Sequence, residues 1–371
     1  MSGLTLTNYW LLIGWIAAAA AVFSFTRMRR PELVRGEMEV RYPVVVALIT
    51  ALPYIVWAGF RPDGFGDTSV YRGTFLNAGS GWGAAFKILK GDGKDKGFYM
   101  AECLLKSVIG NKDIVFFLIV AAIQMVLVVL VYRKYSEDFF LSAFLFIAST
   151  DYLSWTFNGV RQFIAAAIIF ATMGLVMKRK WIPVIIVILL ATSIHGSAII
   201  MLPVVFVCTG RAWNRWTILA IILTILAIVF LDKATSILDT VISTTQYEGM
   251  QYKKIWQADD GTNPLRVLVY SVPAIMSLFG REYIRAEGNP SIDYCVNMSV
   301  VSTSLYLLSM VTSGIYIGRL PIYMSLYSYI ALPWMINHMF KEHTARFIKI
   351  SAIVLYLMFF YYQMHFAWSI L

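Results

Sequence analysis

From Ile114 to Tyr132 the chain runs for 19 residues without a charged side chain, and segments of the same character recur along its length. A helix needs about 20 predominantly apolar residues to cross roughly 30 Å of hydrocarbon, so such segments admit few structures other than membrane helices. The runs are Asn8 to Thr26, Tyr42 to Phe60, Ile114 to Tyr132, Phe139 to Phe157, Gly159 to Met177, Trp181 to Cys208, Trp216 to Leu231, Leu265 to Gly280, Ile292 to Val311, Leu320 to Phe340, and Phe347 to about Trp368. Of the 371 residues, 59% are apolar and only 14% charged, too few polar side chains to cover a soluble fold of this size. The expected fold class is an all-α polytopic membrane protein.

Basic residues orient it. The first run has none before it and Arg27, Arg29 and Arg30 just after, the reverse of a cleavable signal peptide, which places the N-terminus outside. Trp181 to Cys208 is 28 residues long, with Lys178-Arg179-Lys180 before it and Arg211 and Arg215 after. With both flanks cytoplasmic it must cross twice, turning near His195-Gly196. That predicts about 12 transmembrane helices, within a range of 10 to 13, with both termini outside. The inside loops then hold 17 of the 31 basic residues, the short outside loops hold Arg161 and Arg319, and 12 lie in two external loops, Arg61 to Asp113 and Asp232 to Arg266. The formal charge of +10 is thus a topology signal instead of a nucleic-acid-binding stripe. With no repeat, low-complexity segment or linker, residues 1–371 read as a single transmembrane domain. In the first loop, Gly79-Ser-Gly-Trp-Gly83 and Gly91-Asp-Gly93 read as turns. Residues 98–110 read as an amphipathic helix on the outer leaflet, with Glu102 and Lys106 opposite its apolar face.

On this topology the ionisable residues Asp67, Arg72, Asp151, Arg161, His195 and Arg319 all fall at the outer interface, and the central turns of the spans carry no Asp, Glu, Lys or Arg. A coupled transporter places such groups along a path through the midplane. An enzyme acting on the headgroup of a lipid-linked substrate fits the observed distribution better. Arg161 follows Asn158-Gly-Val, where Asn158 can cap a helix, and an arginine beside a helix N-terminus suits an anion. Arg319 follows Gly318 before another span, and two such arginines could hold one diphosphate; the competing reading is that each snorkels to lipid phosphate. His195, before Gly196-Ser197-Ala198, could donate to a phosphate or shuttle a proton, or simply pack. Asp67 could act as a base for a hydroxyl or merely cap a loop, with Glu102 and Asp151 as lesser candidates. Trp82 and Tyr71 in the first loop, and Tyr247, Tyr252 and Trp256 in the second, could stack on sugar rings or meet lipid. The three cysteines are scattered and the four histidines lack nearby partners, so no disulfide framework, metal site or cofactor is expected.

Gly66-Asp67 with Tyr71 four residues on, Asn158-Gly-Val-Arg161-Gln162 with Ala165 to Ala167 behind it, His195-Gly-Ser197-Ala198, and Gly318-Arg319 before a late aromatic-rich span together resemble the EpsG-type branch of the Wzy-like polysaccharide polymerases. The likeness runs from the first external loop to the eleventh span. It implies a metal-independent membrane glycosyltransferase of GT-C type. Such a protein polymerises repeat units carried on undecaprenyl diphosphate at the outer face of the bacterial cytoplasmic membrane. Arg161 and Arg319 would then be diphosphate ligands, His195 a further donor or acid/base group and Asp67 the acceptor-activating base. Arg72 and Gln162 would support them, with Tyr71, Asp151 and Glu102 as further substrate contacts. Expected partners are the lipid-linked oligosaccharide, membrane lipids, and a flippase and chain-length regulator of the same pathway, but not nucleic acid. A ligase or single-sugar transferase would use similar residues, and a lipid-linked oligosaccharide flippase is the rival from another class.

Overall fold

Hydrocarbon offers no partner to a backbone N–H or C=O, so a buried apolar run satisfies itself as a helix. A computed structural model describes residues 5–26, 28–34, 37–230 and 261–369, and they are almost wholly helical. The chain divides into two compact units, Met1–Ile199 with Glu342–Leu371, and Ile200–Lys341.

The first unit opens with α1 (Trp10–Phe25), a short antiparallel hairpin of β1 (Arg30–Val34) and β2 (Glu37–Arg41), and α2 (Val44–Gly59). The segment expected as the first external loop folds as α3 (Thr68–Asn77), α4 (Gly81–Lys90) and α5 (Lys96–Ile109). Next come α6 (Asp113–Tyr135), α7 (Phe139–Ala148), the single turn α8 (Asp151–Leu153), a π turn over Ser154–Asn158, α9 (Val160–Ala171), α10 (Met173–Met177) and α11 (Trp181–Ile194). The second unit holds α12 (Met201–Val207), α13 (Arg215–Val229), α14 (Pro264–Phe279), α15 (Arg281–Glu287), α16 (Pro290–Met310) and α17 (Ile322–His338). Finally α18 (Glu342–Tyr362) returns to the first unit.

Among the described residues three stretches are long and apolar enough to cross a membrane, Asp113–Tyr135, Val160–Met177 and Glu342–Ala367; shorter apolar helices there have 10–17 residues. One predicted span is broken, and the 28-residue run is interrupted near His195-Gly196, where a turn is expected. The run Phe139 to Phe157 stops at Ala148, where Ser149 Oγ accepts from the Asp151 N–H at 3.4 Å and donates to the Phe146 carbonyl at 3.0 Å, and Thr150 adopts φ +68°. Short polar side chains there compete with the helix for its own backbone groups. The 28-residue run breaks at His195, which is extended (φ −149°, ψ 117°) between α11 and a 3-10 turn, Gly196–Ile200. The glycine-rich stretch around Trp82 is a helix from Gly81 onward instead of a turn, with Ser80 as its extended N-cap residue. Most of the segment expected as the second external loop, with Tyr247, Tyr252 and Trp256, lies outside the described residues.

The core that positions the site lies where α3 and α5 meet α6 and α9. Tyr71, Phe75, Phe98, Phe116, Phe117, Val120, Val160 and Ile164 form one buried cluster, with the Phe75 and Phe116 rings stacked 4.5 Å apart. Each fully buried phenylalanine contributes about 2 kcal/mol by leaving water. Lys106 ties α5 to α3 by donating to the carbonyls of Phe75, Leu76 and Ala78 at 3.0, 2.7 and 2.8 Å, where a cation suits the end of a helix. The face of α5 that packs is not the expected one. Phe98 and Glu102 point inward, 5% and 3% exposed, while Val108 is 82% exposed, because α5 packs against α4, α6 and α11 at once.

Candidate active site

Arg161 stands in the first turn of α9, whose N-cap residue, Gly159, supplies no side-chain cap. The Asn158 amide does not cap this helix. With its nitrogen turned toward Asp67, that nitrogen lies 3.0 and 3.1 Å from the two carboxylate oxygens. Asp67 is also held through its backbone, its N–H donating to the Phe157 carbonyl at 3.2 Å. That approach requires Gly66: φ is +59°, and a Cβ there would sit 2.8 Å from the Phe157 oxygen.

Around Arg161 the loop helices supply the partners. Its Nε donates to the Tyr71 hydroxyl at 3.3 Å, and its Nη1 to Asp95 Oδ2 at 2.7 Å and the Tyr99 hydroxyl at 3.1 Å. The guanidinium also lies over both rings, 5.9 Å from the Tyr71 centroid and 5.4 Å from that of Tyr99. Burial raises the Tyr71 phenol pKa, so at neutral pH it is a protonated partner. Asp95 Oδ1 accepts from the Gly196 N–H at 3.0 Å, so one carboxylate joins Arg161 to the turn after His195. Beside this bridge Gln162 Nε2 donates to Ser197 Oγ at 3.4 Å. Arg161 Nη2 makes no hydrogen bond among the described residues and the side chain is 27% exposed, leaving two N–H donors for a ligand.

The structure therefore gathers Tyr71, Arg161, Gln162 and the His195-Gly196-Ser197 turn, with Asp67 one residue pair away through Asn158. His195 itself is half-buried at the break, its backbone N–H bound to the Ala191 carbonyl at 2.9 Å. Glu102 is buried among the loop helices, and burial raises its pKa to about 7 against the opposing pull of Lys106 and Arg161. Its Oε1 has no hydrogen-bond partner among the described residues. Arg72 is held away from the cluster by ion pairs to Asp63 and, at 2.6 Å, Asp113. Asp151 is fully buried at the helix break, accepting from Trp155 Nε1 at 3.2 Å. Arg319 belongs to the second unit and lies in a tight turn ahead of α17, not in a first helical turn. Gly318 is required in that turn, for its Cβ would sit 2.5 Å from the Gly314 carbonyl.

Three residues around the site lie outside the expected set: Tyr99, Asp95 and Arg61. Asp95 looks like one more polar residue of a glycine-rich loop; its left-handed φ of +53° turns the carboxylate toward Arg161. Arg61, 1% exposed, is sandwiched between the rings of Phe117 and Phe157, each 4.5 Å away, and donates to the Thr156 carbonyl at 2.7 Å. Burial lowers its pKa to about 10, so it stays cationic at neutral pH. It thereby pins the segment on which Asp67 rests. An arginine directly after an apolar run is the one sequence signal that marks it. Among the described residues no three His, Cys, Asp or Glu side chains converge as metal ligands.

Membrane-length apolar helices, with a half-buried arginine cluster where the helices of residues 61–113 meet other helix ends, define a helical membrane protein. The sequence matches the EpsG family over residues 44–369, and the chain belongs to that family, with a function of polysaccharide-polymerase type in a membrane. No curated protein and no solved structure matches it.

Proposed function

We propose that the protein is a glycan polymerase of GT-C type, working at the outer face of the bacterial cytoplasmic membrane with both termini outside. It transfers a growing chain from undecaprenyl diphosphate to a hydroxyl of an incoming lipid-linked repeat unit. The supporting observation is the way Arg161 is held: three side chains fix its Nε and Nη1, and Nη2 is left over at a partly exposed helix start. In the transfer the bond from the anomeric carbon to the diphosphate oxygen breaks and the electron pair leaves with the diphosphate. A preorganised guanidinium stabilises that developing charge. The acceptor oxygen forms the new bond and gives up its proton to a base. Asp67 suits that role by being only half-buried and oriented by Asn158. Glu102 is the second candidate, because its pKa of about 7 matches a base poised at neutral pH. His195 would assist as donor or acid, Gln162 and Tyr71 would position the substrate, and Arg319 would contribute a further cation.

Reconstitution with purified lipid-linked repeat units tests this. A ladder of products is expected. A single added unit would favour a ligase or single-sugar transferase, and substrate moved across the bilayer without extension would favour a flippase. Asp67→Asn should retain lipid-linked substrate but not turn it over. If it extends chains normally while Glu102→Gln does not, the base is Glu102. Arg319→Ala should also lose extension, and near-normal polymer from that variant would leave Arg319 a lipid-facing cation.

A further inference from the structure

The opposite end of the first unit carries a separate cavity. Helix α1 starts beside Tyr9, whose ring meets Phe65 and Phe157 near Asp67, and runs away from that site toward Ser24. Where it ends, α7 and α18 begin, and the three helices enclose a cavity of about 330 Å³. On α1 it is lined by Ile13, Ile16, Ala17, Ala20 and Ser24, one face of the helix at three- and four-residue spacing. From Ile13 to Ser24 that face is roughly 16 Å long at 1.5 Å per residue. The two alanines leave width between α1 and the apolar walls, which include Phe144 and Leu357. Polar lining occurs at one end alone: Ser24, Arg29, Tyr42, Asp138 and Lys349.

The charges at that mouth do not cancel. Asp138 is committed twice, pairing with Lys349 through Oδ2 and accepting from the Leu141 N–H at 3.1 Å through Oδ1. Arg29 lies over the Tyr42 ring, 5.0 Å from its centroid, and has no hydrogen bond or ion pair among the described residues. One positive charge is therefore left beside the entrance of a long apolar slot, and its guanidinium can take a phosphate with two parallel hydrogen bonds. Basic clusters between membrane helices hold anionic lipid head groups on this principle.

We infer that this cavity is a binding site for an anionic phospholipid, with the phosphate on Arg29 beside Lys349 and an acyl chain lying between α1, α7 and α18. The site is independent of the Arg161 cluster. Delipidated protein titrated with phosphatidylglycerol and with phosphatidylcholine of the same chains, read by native mass spectrometry, tests it. Phosphatidylglycerol should bind at least 10-fold more tightly, Arg29→Ala should bring the two lipids within about 2-fold, and Ala20→Phe, which fills the slot, should lower retention of both. Circular dichroism confirms that each variant is folded. Equal retention of both lipids by the unaltered protein would overturn the inference. So would an unchanged preference in folded Arg29→Ala, or displacement of bound phosphatidylglycerol by equimolar polyprenyl phosphate, which would make the cavity part of the substrate path.

Discussion

In the first unit, Arg161, Asp95, Tyr71 and Tyr99 come from three different helices and a loop and bind one another. In the second unit Asn297 and Asp293, buried on α16, bind backbone instead. Asn297 accepts from the Trp213 N–H at 2.8 Å and donates to the carbonyls of Cys208 and Arg211 at 3.0 and 3.1 Å. Asp293 accepts from the Ala212 N–H at 2.9 Å, and Arg285 donates to the Ala212 and Trp213 carbonyls at 2.8 and 2.7 Å. Between them they close the non-helical turn ahead of α13, where Trp213 has φ +56° and the backbone around the buried Ala212 and Trp213 needs internal partners. Asn297 thus has its amide oxygen and nitrogen both consumed and acts as scaffold. The Arg161 cluster has donors to spare, and that surplus is what a ligand can use.

Substitutions can break or sharpen this contrast. Arg161→Ala should cost the most, lowering chain extension about 100-fold or more, as loss of one preorganised charge-stabilising donor does, with insertion and helicity unchanged. Measured extension within a few-fold of normal would remove Arg161 from the chemistry. Glu102→Gln comes next and acts on stability with a definite sign. Between about pH 4.5 and about pH 7 the unfolded carboxyl ionises while the folded one keeps its proton, so this group lowers stability as pH rises through that window. The variant should gain at most roughly 3 kcal/mol above pH 7 and nothing below pH 4.5, as read from denaturation curves at a series of pH values. Asn297→Ala should lose about 1–3 kcal/mol by orphaning buried backbone groups, while activity per folded molecule persists; a selective loss of activity would move α16 into the functional machinery. Asp95→Asn should be mildest, lowering extension about 10-fold, because the amide can still accept from Gly196 but cannot match the charge of Arg161.

Much of this arrangement is legible in the chain, and the failures have local causes. The apolar runs predict the helices because hydrocarbon leaves the backbone little choice, and the Arg161-Gln162 and His195-Gly196-Ser197 motifs, written 30-odd residues apart, do meet through Gln162 and Ser197. The break at Thr150 escapes notice because Ser149, Thr150 and Asp151 interrupt an otherwise apolar run with three short polar residues that a span would tolerate. Glu102 faces water when α5 is taken as a helix lying alone on a membrane; with neighbours on several sides, the face carrying Phe98 wins and takes Glu102 inside with it. Asp95 carries no signal beyond its loop, because its role depends on contacts with residues 66 and 101 positions distant.

Gly97 lies at the start of α5, two residues after Asp95, and a Cβ at that position would collide with Ser193 near the end of α11. The missing side chain lets the loop helix seat itself against α11, and that seating decides whether the carboxylate of Asp95 can span from Arg161 to Gly196. A single methyl group at Gly97 would therefore act as a wedge with leverage over the electrostatics of the site, altering the setting of a charge it never touches.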